Sequence, residues 1–327
     1  MVRHSARTAV QYGALLLAVV VLNFALPRLA PGDAIDYLLP PEQAGQLTPA
    51  QRHRVLAEYG QDRSLPVQFG DYVSGLARGD LLYSFRYGRP VRDLIFERLG
   101  WTALLVGGSI LLSTLIGTFL GFRSAWRRGR SADVGVLGAV MLVDSLPPFF
   151  VGLLLILVFS VQLGLLPVFG ALPPTDLAGW SLILEGAKRL VLPLATLTLA
   201  TVGTIYLIAR SSLISESRED YVLMARAKGL SERRVRRHAE RNALLPVVTI
   251  TLIELGTLVG GAAVVETVFS YPGLGRLIYE SVLARDYPVL QGCFLLLALG
   301  VILANLTGEL LYPLLDPRVR HGGEPRR

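Results

Sequence analysis

The chain has 327 residues, 52% hydrophobic and only 17% charged, with a mean hydropathy of +0.50 and a net charge of +7. Soluble domains carry about 25% charged residues. Here the apolar residues fall in long runs that a soluble protein of this length has no interior to bury, so two soluble domains and a disordered chain are both excluded. The single cysteine, Cys293, excludes an intrachain disulfide and a cysteine-built zinc site, and four scattered histidines make no metal cluster. No metal and no cofactor is expected.

A spanning helix needs roughly 20 mostly apolar residues to cross about 30 Å of hydrocarbon. Six segments qualify, at about 9–26, 101–122, 134–163, 190–209, 243–265 and 289–311. The third is interrupted by Pro147-Pro148, the fourth carries Pro193 near its start, and the fifth has Pro246 in its first turn. Backbone amides in lipid must be satisfied within the segment, and none of these runs shows the alternation of a barrel strand. The expected fold class is an all-α membrane protein with six transmembrane helices.

Arginine placement sets the orientation. The connection after the second segment holds Arg123, Arg127, Arg128 and Arg130. The one after the fourth holds Arg218, Arg226, Lys228, Arg233, Arg234, Arg236, Arg237 and Arg241. With six spans these loops, Arg3 and Arg7 at the start, and Arg318, Arg320, Arg326 and Arg327 at the end share one side. Lys188, Arg189, Arg276 and Arg285 lie in loops on the other. Both termini are therefore expected in the cytoplasm, and the net charge reports topology rather than a nucleic-acid partner. Leu26-Pro27-Arg28-Leu29-Ala30 is a poor cleavage context, so the first segment reads as a span and not as a signal peptide.

The stretch 31–98 is expected outside as a small subdomain, either a packing cap over the spans or a docking surface. Pro31-Gly32-Asp33, Pro40-Pro41 and Gly79-Asp80 are turn signals there. Thr48 can cap a helix whose first position suits Pro49 and which Gly60 can end. Residues 71–77 and 91–99 read as further short helices. The remaining parts are a first segment, 1–30, a five-helix core, 99–315, and a tail, 316–327.

Residues 211–245, SSLISESREDYVLMARAKGLSERRVRRHAERNALL, parse into two helices in the cytoplasm. Asp220 is a candidate N-cap, Gly229 sits where a left-handed C′ residue belongs, and Ser231 can cap the second helix, which leads into the fifth span. Tyr221, Ala225 and Gly229 follow at i, i+4 and i+8 and share a face, with Met224 and Lys228 beside them. A stiff short helix with a small-residue face suits a lever that passes a partner's movement into the membrane. The residues alone equally fit an amphipathic helix lying on anionic headgroups.

DYVLMARAKGL followed by RNALLP resembles the coupling-loop signature of ATP-binding-cassette importer permeases of the binding-protein-dependent type, within the dipeptide/oligopeptide/nickel branch. RGDLLYSFRYGRPVRDLIFERL (78–99), DSLPPFFVGLLLILVFSVQLGLLPVFG (144–170), ETVFSYPGLGRLIYESVLARDYPVLQG (266–292) and NLTGELLYPLLDPRVR (305–320) are similar to that family in the same order. The long external stretch resembles the first of the two permeases such importers use. The resemblance implies a type I ABC importer permease fold in the bacterial plasma membrane, without enzymatic activity of its own. It also implies a heterodimer with a second permease subunit, two ABC ATPase subunits, an external solute-binding protein, and dipeptides or oligopeptides as cargo, with nickel or glutathione as alternatives.

In that scheme the coupling loop 211–243 contacts the ATPase through Asp220, Tyr221, Ala225, Ala227 and Gly229. Glu266, Pro272, Gly273 and Gly275 form an external gate or docking element. The wider group often carries a glutamate six residues before the glycine. Here that position is Leu223, so a salt bridge from it is not expected.

Phosphate cradling needs Gly-Lys-Ser/Thr, yet both lysines follow alanine (Ala187-Lys188 and Ala227-Lys228), and G-x-S-x-G and H-E-x-x-H are absent. Energy must then come from a partner. A stand-alone secondary transporter would show inverted repeats, and no convincing halves are visible. Two acids fall within spans, Asp144 and Glu254. Charges there cost about 2.5–3.5 kcal/mol on insertion scales and face a bundle interior or a cavity. They either line the translocation path, meeting the amine or side chains of a peptide, or form buried hydrogen bonds. Gly117-x-x-x-Gly121 and Gly256-x-x-x-Gly260 are close-packing pairs.

Overall fold

The computed structural model describes residues 2–29, 35, 43, 45–58, 62–84, 86–173 and 177–315, with backbone alone at 2–9, 58, 256–261 and 308–315. The chain is mostly helical. Its elements are α1 (Val2–Leu29), α2 (Pro49–Glu58), α3 (Leu65–Ala77), β1 (Tyr83–Ser84), β2 (Arg89–Pro90), α4 (Val91–Trp126), α5 (Ser131–Asp144), α6 (Pro148–Leu155), α7 (Trp180–Glu216), α8 (Asp220–Ala227), α9 (Glu232–Val268), α10 (Leu274–Ala284) and α11 (Tyr287–Leu315). The tail 316–327 and the turns at Pro31-Gly32-Asp33, Pro40-Pro41 and Gly60 lie outside the described residues, as do the side-chain surroundings of the Gly256–Gly260 pair.

Among the described residues, four helices are long and apolar enough to cross a membrane: Val10–Leu29, Val91–Trp126, Trp180–Glu216 and Tyr287–Thr307. The expected third span is not straight. Its halves, Ser131–Asp144 and Pro148–Gln162, meet at a bend of 100°. Neither proline can donate an amide, and the residue before a proline is pushed out of the helical region, so the backbone leaves α5 and restarts with Pro148 at the first helical position. The second half ends in a π-helical stretch, Ile156–Gln162.

Two further expectations change. Residues 91–99 are not a separate helix. Gly100 does not stop them, and α4 runs on unbroken for 36 residues. Lys188 and Arg189 are not in a loop, because α7 begins ten residues before the apolar segment, at Trp180. There Lys188 Nζ bonds Glu185 at 2.6 Å, and Arg189 donates to the Phe169 carbonyl.

The described residues gather into two compact units, those within 1–101 and 272–302, and those within 102–271 and 303–327. In the first, Val91, Leu94 and Ile95 of α4 pack with Leu274 and Leu277 of α10 and Val289 and Cys293 of α11. The turn before α11 holds the β-hairpin through Asp286, which accepts from the Ser84 hydroxyl and, at 3.3 Å, from the Arg86 amide. A reciprocal amide clamp joins α1 to α11: Asn23 Nδ2 donates to the Gln291 carbonyl at 2.6 Å, and Gln291 Nε2 to the Asn23 carbonyl at 2.8 Å. The α2 start is a capping box, with the Thr48 amide bonding Gln51 Oε1 at 2.8 Å.

The second unit is built around α7. Gly117 and Gly121 of α4 let the two backbones meet. A Cβ on Gly121 would lie 2.7 Å from the Tyr206 carbonyl oxygen and 2.8 Å from the Ala209 Cβ. One turn away, Asp133 of α5 is buried and forked by Arg210, Oδ1 to Nε at 2.9 Å and Oδ2 to NH2 at 2.8 Å. The Ser124 hydroxyl and the Gly129 amide at 3.0 Å complete the shell, and Ser124 also meets the Tyr206 hydroxyl at 2.8 Å. One ion pair thus ties the end of α4, the α4–α5 turn, the start of α5 and the C-terminal part of α7.

Two outcomes follow from this packing. Overpacking a close contact costs about 1–3 kcal/mol, so Gly121→Val should lower the thermal midpoint of the detergent-solubilised protein, whereas the exposed Gly135→Val should leave it nearly unchanged. Breaking a buried pair from one side costs about 3–5 kcal/mol. Asp133→Ala should therefore destabilise strongly in the same assay, and Asp133→Ala with Arg210→Met should recover part of the loss.

Candidate coupling site

The linker between the two 37-residue helices α7 and α9 is short and fully ordered. Helix α7 closes with the Ser217 amide on the Leu213 carbonyl at 2.9 Å, and α8 starts three residues later. Asp220 is not the cap. Glu219 occupies the cap position with φ −68° and ψ 146°, and no side chain caps the first turn. Asp220 is the first helical residue, where its charge complements the helix dipole.

The far end of α8 is as expected. Gly229 has φ +75°, its amide bonds the Arg226 carbonyl at 2.9 Å, and the Leu230 amide bonds the Ala225 carbonyl at 3.2 Å. This pair of bonds is the Schellman closure, which needs a left-handed residue at this point and so favours glycine. Ser231 then stands at the N-cap of α9 without a side-chain bond.

Packing decides which face of α8 is open. Val222 is fully buried with Leu213 of α7 and Val235, Ala239 and Ala243 of α9. Tyr221, Ala225 and Leu230 pack on this cluster from α8 and its turn, and Phe122, Ala125 and Trp126 pack on it from α4. The Tyr221–Ala225 edge therefore packs on the protein itself and is half-buried, while Gly229, four residues on, is exposed. A four-residue period cannot say which side of a helix its own chain covers. The open side carries Asp220, Leu223, Met224, Ala227 and Gly229, with Leu223 55% and Met224 57% exposed.

Polar contacts stiffen the joint. The Tyr221 hydroxyl donates to Glu216 at the end of α7. Burial, and then that hydrogen bond, push its phenol up to about 12, so it stays a neutral donor. Arg226 Nε bonds Glu232 Oε1 at 3.0 Å across the α8–α9 turn. Trp126 Nε1 donates to Glu240 at 2.9 Å, and the Arg236 guanidinium lies 5.0 Å from the Trp126 ring centroid. Spacing gave no signal for Trp126, Glu240, Asp133 or Arg210. Their only sequence trace is polar character beside apolar runs.

The other expected site residues are dispersed. Asp144 is the last residue of α5, exposed, with no hydrogen bond or ion pair among the described residues. Glu254 is half-buried in α9 and is not without a partner. Glu266 is fully buried: Thr102 Oγ1 donates to its Oε1 at 2.7 Å, and its carbonyl accepts the Tyr271 amide at 2.7 Å. Ser270 turns the chain with φ +50°. Pro272 follows, half-buried, Gly273 caps α10, and Gly275 is buried in its first turn.

Residues 113–321 match the family model described as "Binding-protein-dependent transport system inner membrane component". The chain is 37% identical over 322 residues to the di/tripeptide transport system permease protein of Pseudomonas aeruginosa, covering 93% of this chain and 94% of that one. It is 35% identical over 326 residues to the dipeptide transport system permease protein of Escherichia coli, covering 93% and 95%. A chain of the MetNI methionine ABC transporter, solved facing inward, matches with a TM-score of 0.56 at 20% identity over 68% of this chain and 96% of that chain. At that identity the likeness speaks for the fold alone. The chain belongs to the family of binding-protein-dependent transport system inner membrane components, and it is an inner-membrane permease subunit rather than an enzyme.

Proposed function

We propose that this permease subunit imports short peptides as half of a heterodimer with a second permease, driven by two ABC ATPase subunits and fed by an external solute-binding protein. The peptide and dipeptide transport names of its relatives support the cargo. The observation that carries the mechanism is α8: a helix locked by Val222 into the ends of α7 and α9, with an apolar pair turned outward. Leu223 stands where many permeases of the wider group have a glutamate, so the ATPase groove is met by burial of Leu223 and Met224 rather than by a salt bridge. ATP-driven closure pushes α8, and the packed joint turns α7 and α9 with it, alternating access to the path.

The proposed topology has six spans, in α1, α4, the broken pair α5–α6, α7, α9 and α11, with both termini in the cytoplasm. An even count supports this, because it puts the arginine-rich loops on one side. The proposed parts are 1–30, the external subdomain 31–98, the core 99–315 with its coupling loop 211–243, and the tail 316–327. Asp220, Tyr221, Ala225, Ala227 and Gly229 serve the coupling loop, Tyr221 and Ala225 from its inner side. Glu266, Pro272, Gly273 and Gly275 belong to the external gate or docking element, all buried in this chain except the half-buried Pro272. Asp144 and Glu254 belong to the translocation path.

The test is the assembled importer in proteoliposomes. Leu223→Glu with Met224→Glu buries two charges in the proposed interface. It should abolish ATPase co-purification and lower peptide uptake at least ~tenfold, a loss of 1.4 kcal/mol or more, while the permease stays in the membrane. Unchanged ATPase association would rule out α8 as the coupling element. Gly229→Pro, which forbids the left-handed residue and removes the amide bonded to Arg226, should uncouple ATP hydrolysis from uptake.

A further inference from the structure

Asp144 and Gly203 each break a local rule. An acid on the last residue of a helix meets the negative end of the helix dipole. A glycine inside a long helix such as α7 is disfavoured against alanine. The structure places the two together. A Cβ built on Gly203 would lie 2.1 Å from Asp144 Oδ1, 2.6 Å from its Cγ and 3.0 Å from its Cβ. No side chain other than hydrogen fits at 203 while the carboxylate stays where it is. Gly203 is itself buried in α7, and Asp144 sits at the 100° break between α5 and α6.

The second observation is what Asp144 lacks. It is exposed on this chain and has no hydrogen bond or ion pair among the described residues, whereas Asp133 at the start of the same helix is buried and fully paired. An ionised group at membrane depth requires water or a cation. Resting on the importer reading above, we propose that Gly203 is the positioning residue of a cation-reading point in the translocation path. It seats the Asp144 carboxylate so that the ammonium group of a passing peptide is its counterion. The local rules broken at these two positions are then explained by one role.

The test uses the assembled importer with all its subunits. Carboxylates are modified with a carbodiimide and an amine, and Asp144 is read by mass spectrometry. Trialanine with a free amino terminus should protect Asp144, N-acetyl-trialanine should not, and the exposed Glu97, outside the proposed path, should serve as internal reference. Gly203→Ala should remove the protection, and both Gly203→Ala and Asp144→Asn should slow trialanine uptake ~tenfold, the loss of about one charge-assisted contact. If Gly203→Ala alone fails to assemble, Asp144→Gly with Gly203→Ala removes every overlapping atom, the Asp144 Cβ included, and should restore assembly; failure to restore it overturns the seat.

Equal protection by both peptides overturns the inference. So does an unreactive Asp144 in the peptide-free assembly, which would assign it to a cation of the second permease. In those cases peptide uptake by the wild type leaves the importer reading standing. A wild-type assembly that takes up no peptide overturns both.

Discussion

A helix that carries force from one protein to another works only if its joint is stiffer than the load. In this permease the joint is the apolar cluster under α8. Val222 is a single side chain, but it reaches both long helices at once through Leu213 on one side and Val235, Ala239 and Ala243 on the other. Close-packed interiors yield in steps rather than continuously, so in the coupling role proposed for α8 a push on it would pass to α7 and α9 as a whole-body movement. The Schellman closure at Gly229 and the Tyr221–Glu216 bond fix the two ends of the short helix, leaving no slack on either side.

The same stiffness continues above the joint by polar means. Arg210 forks Asp133 where α4, α5 and α7 meet, and Trp126 links the end of α4 to Glu240 of α9. Such pairs cost desolvation, but they are directional, and they hold register where smooth leucine surfaces would slide. Several hydroxyls within the helices are satisfied locally: Thr196, Thr201, Thr249 and Thr251 all donate to the carbonyl four residues earlier. Against those local bonds, Asp144 has no hydrogen bond or ion pair among the described residues.

The coupling loop also shows how a departure from a family pattern can be absorbed. Leu223 replaces a charge with an apolar side chain, and it lies beside Met224 on the open side of α8. Methionine adapts to irregular grooves, and leucine supplies area without a directional demand. The surface offered is apolar, rimmed by Asp220, Arg226 and Lys228.

Membrane class, the placement of five of the six apolar segments on helices, the helix pair within 211–245 and the glycine that ends α8 were all legible in the chain, because each depends on local backbone chemistry or on apolar length. The bend in the third segment was visible only as Pro147-Pro148; its 100° angle was not, since prolines break a helix without saying where the next one points. The open face of α8, the burial of Glu266 and the Asp133–Arg210 pair depended on residues far apart in sequence. So did the contact between Asp144 and Gly203, 59 positions apart. Composition and spacing determine what a segment can become. Which side chain meets which is decided only when helices pack, because a helix carries no local record of the neighbour that will cover it.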